Sequence, residues 1–287
     1  MITRLHSALV DVTDLDTATR DYARLLGAPP LRGERSAESG RRSRFFGLAN
    51  MALELREAAP DGAGEPRLGQ AGIRLTWEGE DPVSVLDASG FGITEAETAC
   101  GTAEGAVSDR TFAPFVIDRK TSRGISVELV CDEEPALASC VGESSDIDPA
   151  ARIRSLDHVV VMSADPEATR KFYLEGLGLR LALDKTFEKR GVRLLFFRVG
   201  GTTIEIGARV GADPQPGATD RFGGLAWQVP DIDAIQARLA ADRFDVSEVR
   251  TGHKPGTRVC TVRDPVHGVP TLLIEPVGAG ESVSQEG

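Results

Sequence analysis

Apolar residues alternate with polar ones in two distinct periods, and the second half of the chain shows them most plainly. Residues 156–162, Leu156-Asp157-His158-Val159-Val160-Val161-Met162, are rich in β-branched side chains and predict a strand. Asp165-Pro166 follows, an N-cap with proline at the first helical position. It predicts a helix running through Phe172 to about Glu175, where Gly176 and Gly178 end it. Residues 193–199 and 202–206 predict two strands joined by a tight Gly200-Gly201 turn. After Asp213-Pro214-Gln215-Pro216-Gly217 the same order restarts. A strand is predicted over 225–229, then a helix capped by Asp231 with Ile232, Ile235 and Leu239 on one face, then strands over 258–263 and 270–274.

A shift of about 150 residues lays the chain over itself. Residues 10–22 fall on 160–172, with Ala-Thr-Arg coinciding at 18–20 and 168–170. Leu26-Gly27 meets Leu177-Gly178, Leu53-Glu54-Leu55 meets Ile204-Glu205-Ile206, and Trp77 falls on Trp227, these being the two tryptophans. Each half therefore reads as a pair of βαβββ units, which makes the fold class α+β. The expected boundaries are a first domain over 1–134, a linker rich in Ser, Asp, Ala and Gly over 135–152, a second domain over 153–277 and a frayed tail over 278–287. The segments 61–69 and 101–105 read as loops.

Length and composition narrow the classes. A chain of 287 residues suits two domains. It has no apolar run near the roughly 18–20 residues of a membrane span. The start, Met1-Ile2-Thr3-Arg4-Leu5-His6, has no apolar export segment. A net charge of −11 with no basic run argues against a nucleic-acid partner. The four cysteines form no C-x-x-C pair and read as reduced thiols, so the expected location is cytoplasmic. The expected partner is a small-molecule substrate, with no membrane partner, and the chain is expected to be a monomer or homodimer. No phosphate-binding loop occurs, so no nucleotide cofactor is expected. Only His6, His158, His253 and His267 can supply imidazoles.

The paired βαβββ units, Leu-Asp-His-Val-Val-Val before the first helix, Thr-Ile-Glu-Ile on the fourth strand and Val-Pro-Asp-Ile-Asp at a later helix start resemble the vicinal oxygen chelate superfamily. That family includes tandem glyoxalase, bleomycin-resistance and extradiol dioxygenase-like domains. The resemblance implies that two units curl into a half-open barrel, a cup holding a divalent metal with ligands from the first, fourth, fifth and eighth strands. Carried over residue by residue, it assigns His158 and Glu205 as metal ligands and catalytic groups. Gly224 stands at the fifth-strand position and Leu272 at the last, with Glu275 at an odd offset on the other face. In the first half Ala8 stands at the first-strand position, while Glu54, Arg74 and Glu128 read as a buried ion cluster. If units are exchanged between halves, Glu128 joins His158 and Glu205 as a third metal ligand.

The resemblance further implies an enzyme of glyoxalase-like lyase or isomerase type. It would act on a small oxygenated organic molecule by proton abstraction and enolate stabilisation, with or without a metal. An extradiol ring-cleaving dioxygenase is the alternative, which needs two histidines and a carboxylate. A non-catalytic binder of the resistance type is the other. His253, Lys254 and Arg258 lie in a basic segment that reads either as a solvated turn or as a rim suited to a substrate carboxylate or phosphate. Trp227 either packs in the core or stacks on substrate. The plain structural reading of Glu205 is an ion pair with Arg198 or Arg258.

Overall fold

The computed structural model describes residues 1–36, 40–58, 71–79, 82–83, 86, 93–95, 99–103, 106–112, 114–131, 146–211 and 217–276. The expected tail, residues 61–69 and most of the expected linker lie outside them, although Pro149–Ala151 forms a 3-10 turn.

The first half contributes β1 (Ile2–Val12), α1 (Leu15–Leu26), β2 (Arg32–Ser36), β3 (Arg42–Gly47), β4 (Ala52–Glu57), β5 (Ala71–Trp77), β6 (Ile93–Glu95), β7 (Ala99–Ala103), β8 (Ala106–Phe112), β9 (Phe115–Ile117) and β10 (Ser126–Cys131). The second contributes β11 (Ser155–Ser163), α2 (Pro166–Lys171), β12 (Arg180–Phe187), β13 (Val192–Val199), β14 (Thr202–Arg209), β15 (Arg221–Gln228), α3 (Ile232–Ala241), β16 (Asp245–Val246), β17 (Arg250–Thr251), β18 (Thr257–Asp264) and β19 (Thr271–Pro276). These make two curled sheets with few helices, an α+β architecture. The first runs β6-β9-β10-β5-β1-β4-β3-β2-β7-β8. The second runs β12-β13-β14-β11-β15-β19-β18-β16, with β17 on β18.

Each helix begins where its cap stands. Asp14 accepts from Thr17 N at 3.0 Å, Asp165 from Ala168 N at 3.1 Å and Asp231 from Ala234 N at 3.0 Å. Leu15, Ala18, Tyr22, Leu25 and Leu26 form the buried stripe of α1, which ends at Gly27 in the left-handed conformation, φ 76°. The helix expected to run from Pro166 to Glu175 is α-helical only to Lys171 and opens into one π turn over Phe172–Gly176. Residues 101–103, expected in a loop, instead belong to β7, whose hairpin with β8 extends the sheet edge at β2.

One face of each sheet packs on the helices. In the second sheet Val159, Val161, Leu195, Phe197, Ile204, Ile206, Leu225 and Leu273 are buried there with Ile232, Ile235 and Leu239 of α3. The two halves share that core and are stitched by polar contacts. Asn50, between β3 and β4, brackets Leu156 of β11, its Nδ2 donating to Leu156 O at 2.7 Å and its Oδ1 accepting from Leu156 N at 3.0 Å. Arg238 of α3 donates to Leu25 O and Ala151 O, each at 2.9 Å.

Candidate active site

Strand pairing decides which side chains share the face opposite the helices. In the second sheet His158 pairs with Thr203 on β14 and Ala226 on β15, and Ala226 with Leu272 on β19. Glu205 pairs with Val160 on β11 and Phe196 on β13. Glu205 is two residues beyond Thr203, so it projects from the same face as His158. Glu205 Oε2 lies 3.6 Å from His158 Nε2, with the side chains 22% and 15% exposed, so a solute can reach both.

Asp157 completes the group, although the sequence reading passed it over. Strict alternation would send it to the opposite face. The register shifts between Leu156 and His158, and this bulge brings Asp157 Oδ2 within 2.8 Å of His158 Nδ1. The hydrogen bond from His158 holds the Asp157 carboxyl below its ordinary range against the opposing effect of burial, helped by the positive charges of Lys254 and Arg198. Burial pushes Glu205 the other way, above its ordinary value, with His158 opposing.

The first sheet carries a different chemistry at the same four positions. Ser7 pairs with Arg74, Arg74 with Glu128, and Glu54 with Leu9. Ser7, Glu54, Arg74 and Glu128 thus correspond to His158, Glu205, Ala226 and Leu272. Ala8, expected at the first-strand position, is instead buried in the helix-side core. Arg74 Nη1 donates to Glu54 Oε2 at 2.6 Å, and its Nε and Nη2 donate to Glu128 Oε2 at 2.9 and 2.7 Å. Arg56 Nη1 donates to the other Glu128 oxygen at 2.5 Å and Arg56 Nε to Asp11 at 3.0 Å. All the guanidinium and carboxylate groups here are mutually satisfied, so this face is an ion network and no place for a cation.

His6 lies beside that network. Burial, reinforced by Arg74, Arg4 and Arg32, lowers its pKa to about 3. An unfolded chain binds a proton there below about pH 6.5 that the folded chain refuses until about pH 3. The unfolded state therefore binds more protons in that window, and stability falls as pH falls. His6→Gln is expected to flatten the acid limb of a stability profile, measured by urea denaturation between pH 6.5 and 3, by about 1.4 kcal/mol per pH unit.

Several expected site residues sit elsewhere. Glu128 stays within the first sheet on Arg74 and Arg56, and β15 pairs with β11 of its own half. It therefore does not join His158 and Glu205 as a metal ligand. Arg258 projects to the helix side, where it binds Asp233 at 2.7 Å and Glu275 at 3.4 Å; its parity with buried Cys260 puts it off the site face. Trp227 is wholly buried in the core, one residue out of phase with Ala226, and offers no stacking surface. Glu205 forms no ion pair with Arg198, which donates instead to Thr203 Oγ1 at 2.8 Å, nor with Arg258. His253 is exposed in the turn before β18, and Lys254, exposed in the same turn, remains at the rim of the site, where its charge acts on Asp157.

The donor set does not fit a resident divalent metal. Among the described residues, no three His, Cys, Asp or Glu side chains converge as a cation site. His158 and Glu205 supply two donors, and the positions completing their quartet, Ala226 and Leu272, supply none. Catalytic metal sites of this kind rest on three protein ligands. Nor can Gly224 be converted to one: its φ is 139°, and a Cβ there would lie 2.4 Å from Pro270 O. Gly224→Ala is expected to destabilise the fold by about 1–3 kcal/mol, read by chemical denaturation.

The comparisons agree with the sheet geometry. Residues 155–271 match the family described as the Glyoxalase/Bleomycin resistance protein/Dioxygenase superfamily. The second half belongs to that superfamily. Solved members of similar fold span nearly the whole chain. The Mn(II)-bound glyoxalase from Novosphingobium aromaticivorans is 16% identical, with 96% of this chain and 83% of that one covered and a TM-score of 0.65. A mutant of 4-hydroxymandelate synthase from Streptomyces coelicolor is 19% identical, with 98% and 94% covered and a TM-score of 0.65. A halotolerant catechol dioxygenase, BphC, is 16% identical, with 96% and 87% covered and a TM-score of 0.60. At these identities the likeness speaks for the fold alone. No curated protein matches the chain in sequence. No helix among the described residues is long and apolar enough to cross a membrane.

Proposed function

We propose that this chain is an enzyme that moves a proton beside a carbonyl group of a small oxygenated organic molecule, in the manner of an isomerase, epimerase or lyase. The reading rests on one observation: His158 Nε2 and Glu205 Oε2 lie 3.6 Å apart on one face, with Asp157 holding the far side of the imidazole.

The roles follow from the three groups. Asp157 accepts the Nδ1 proton of His158, which leaves a lone pair on Nε2 and fixes the ring plane. Burial favours the protonated form of Glu205 relative to an exposed glutamate. A carbonyl compound lying across the pair loses a proton from its adjacent carbon to His158 Nε2. The electrons of that C–H bond form the enol double bond, and the carbonyl oxygen takes the Glu205 proton. Delivery of the His158 proton to another carbon of the enol, with the enol O–H proton going back to Glu205, completes an isomerisation. Return to the same carbon from solvent-exchanged His158 gives deuterium exchange. No step in this sequence requires a metal. Ring cleavage of the extradiol kind calls for two histidines and a carboxylate around iron, and this face offers one histidine.

The test is solvent-deuterium incorporation, followed by proton NMR, at the carbon beside the carbonyl of propiophenone and 3-benzoylpropionate. The wild-type chain is expected to accelerate exchange of at least one of them, and Glu205→Gln to slow that exchange about tenfold or more. No exchange above the buffer rate for either ketone, or an unaffected rate in the variant, contradicts the reading.

A further inference from the structure

The face that carries His158 and Glu205 reverses the charge balance of the chain. The whole sequence is at −11, yet Arg198 and Lys254 act on Asp157 and Arg190 on Glu205, with Lys185 further along the same face over Phe187. Arginines on the helix side are saturated: Arg193 is bound by Asp184 and Glu167, and Arg258 by Asp233 and Glu275. On the site face, the Arg190 charge acts on Glu205 and the Lys254 charge on Asp157, and Lys185 and Arg190 lie over the Phe187 ring at 5.1 and 5.6 Å.

Arg198 is the best placed of the four. It pairs with Thr203, which pairs with His158, so the three stand in one row across β13, β14 and β11. Its bond to Thr203 Oγ1 uses one guanidinium N–H and steadies the group beside the imidazole, leaving the others for a planar two-oxygen acceptor. Lys254 reaches the same end of the site, since its charge and that of Arg198 both act on Asp157. The next rows are apolar. Phe196 flanks Glu205, Leu183 flanks Phe196, and Leu194 lies beside Gly207, all half-buried and on the same face.

On the proton-transfer reading, we propose that Arg198 and Lys254 bind a carboxylate of the substrate, and that the substrate is an amphipathic acid whose apolar end lies along Phe196, Leu183 and Leu194. The acid group anchors one end, the apolar body covers the other, and the carbon beside the carbonyl is held between His158 and Glu205.

The experiment is calorimetric titration of the full chain with 3-benzoylpropionate and with its neutral amide, in low and high salt, with deuterium exchange measured in parallel. The acid is expected to bind about tenfold or more tightly than the amide, and Arg198→Met to erase most of that preference. Lys254→Met is expected to weaken acid binding several-fold, and salt to weaken binding of the acid only. Equal affinity for acid and amide, no saturable binding of the acid at millimolar concentration, or an unchanged preference in Arg198→Met overturns the proposal. Tighter binding of 3-phenylpropyl phosphate than of the acid overturns the carboxylate assignment. Selective binding without exchange would contradict the proton-transfer reading while upholding the anion site. Exchange as fast into the amide as into the acid would do the reverse.

Discussion

His158→Gln is expected to lower deuterium exchange into the better of the two ketones by about 10²–10⁴-fold, the usual worth of a positioned general base. The substitution keeps a polar side chain of similar reach on a half-buried strand position, so the fold is expected to survive with little change in unfolding midpoint. What disappears is the Nε2 lone pair, 3.6 Å from Glu205, that the proposed chemistry requires. Asp157→Asn probes the same group from behind. Losing the carboxylate that accepts the Nδ1 proton frees the ring to take the other tautomer, and is expected to lower the rate while leaving ligand binding in place. Exchange by His158→Gln at the wild-type rate would remove the reaction centre, although not the architecture.

The largest effect on stability is expected at Arg74. Its guanidinium holds Glu54 at 2.6 Å and Glu128 at 2.7 Å, all three nearly excluded from solvent. Arg74→Met leaves two carboxylates buried with the arginine between them gone, and breaking a buried ion group in this way costs about 3–5 kcal/mol. In a chain of this size that corresponds to a fall in unfolding midpoint of roughly 10 °C. Burial opposes ionisation of Glu128, but Arg56 and Arg74 outweigh it and hold the group down at about 2. Glu128 therefore contributes stability that is present above the ordinary carboxylate range and is lost as pH falls toward 2. Without Arg74 that contribution shrinks, and Glu54, which burial already raises, gains a stronger tendency to take up a proton. Combining Arg74→Met with Glu54→Gln and Glu128→Gln is expected to restore much of the loss, since neutral amides tolerate the site better than unpaired charges. A single Arg74→Met variant within about 1 kcal/mol of wild type would show that the network contributes little.

The strands, the helix caps and the two-fold repetition were legible because they rest on local pattern: β-branched runs, Asp at each cap and glycine after α1. Register was the part that could not be read. Laying the chain over itself without gaps puts Ala8 on His158, whereas the pairing puts Ser7 there, a slip of one residue that moves the side chain to the other face. Both first strands carry register shifts close to this point, between Leu5 and Ser7 and between Leu156 and His158, and nothing in the side-chain sequence marks them. The same irregularity hid Asp157, which a regular strand would have turned away from His158. Arg258 on the site face, and the stacking alternative for Trp227, fail for the complementary reason. Each is one residue from a position on the site face, Val259 and Ala226, so its parity was readable only once the register was known. That His158 and Glu205 share one face was readable because their spacing from the helix and from the Leu-x-Leu or Ile-x-Ile pattern survives such shifts.

Deuterium exchange by chelator-treated protein, with and without added divalent cations, probes the central claim most directly. If His158 and Glu205 transfer the proton themselves, the treated chain retains the full rate and added Mn(II), Mg(II), Zn(II) or Ni(II) leaves it unchanged. Loss of exchange on chelation, with recovery when one of those ions returns, would contradict the account.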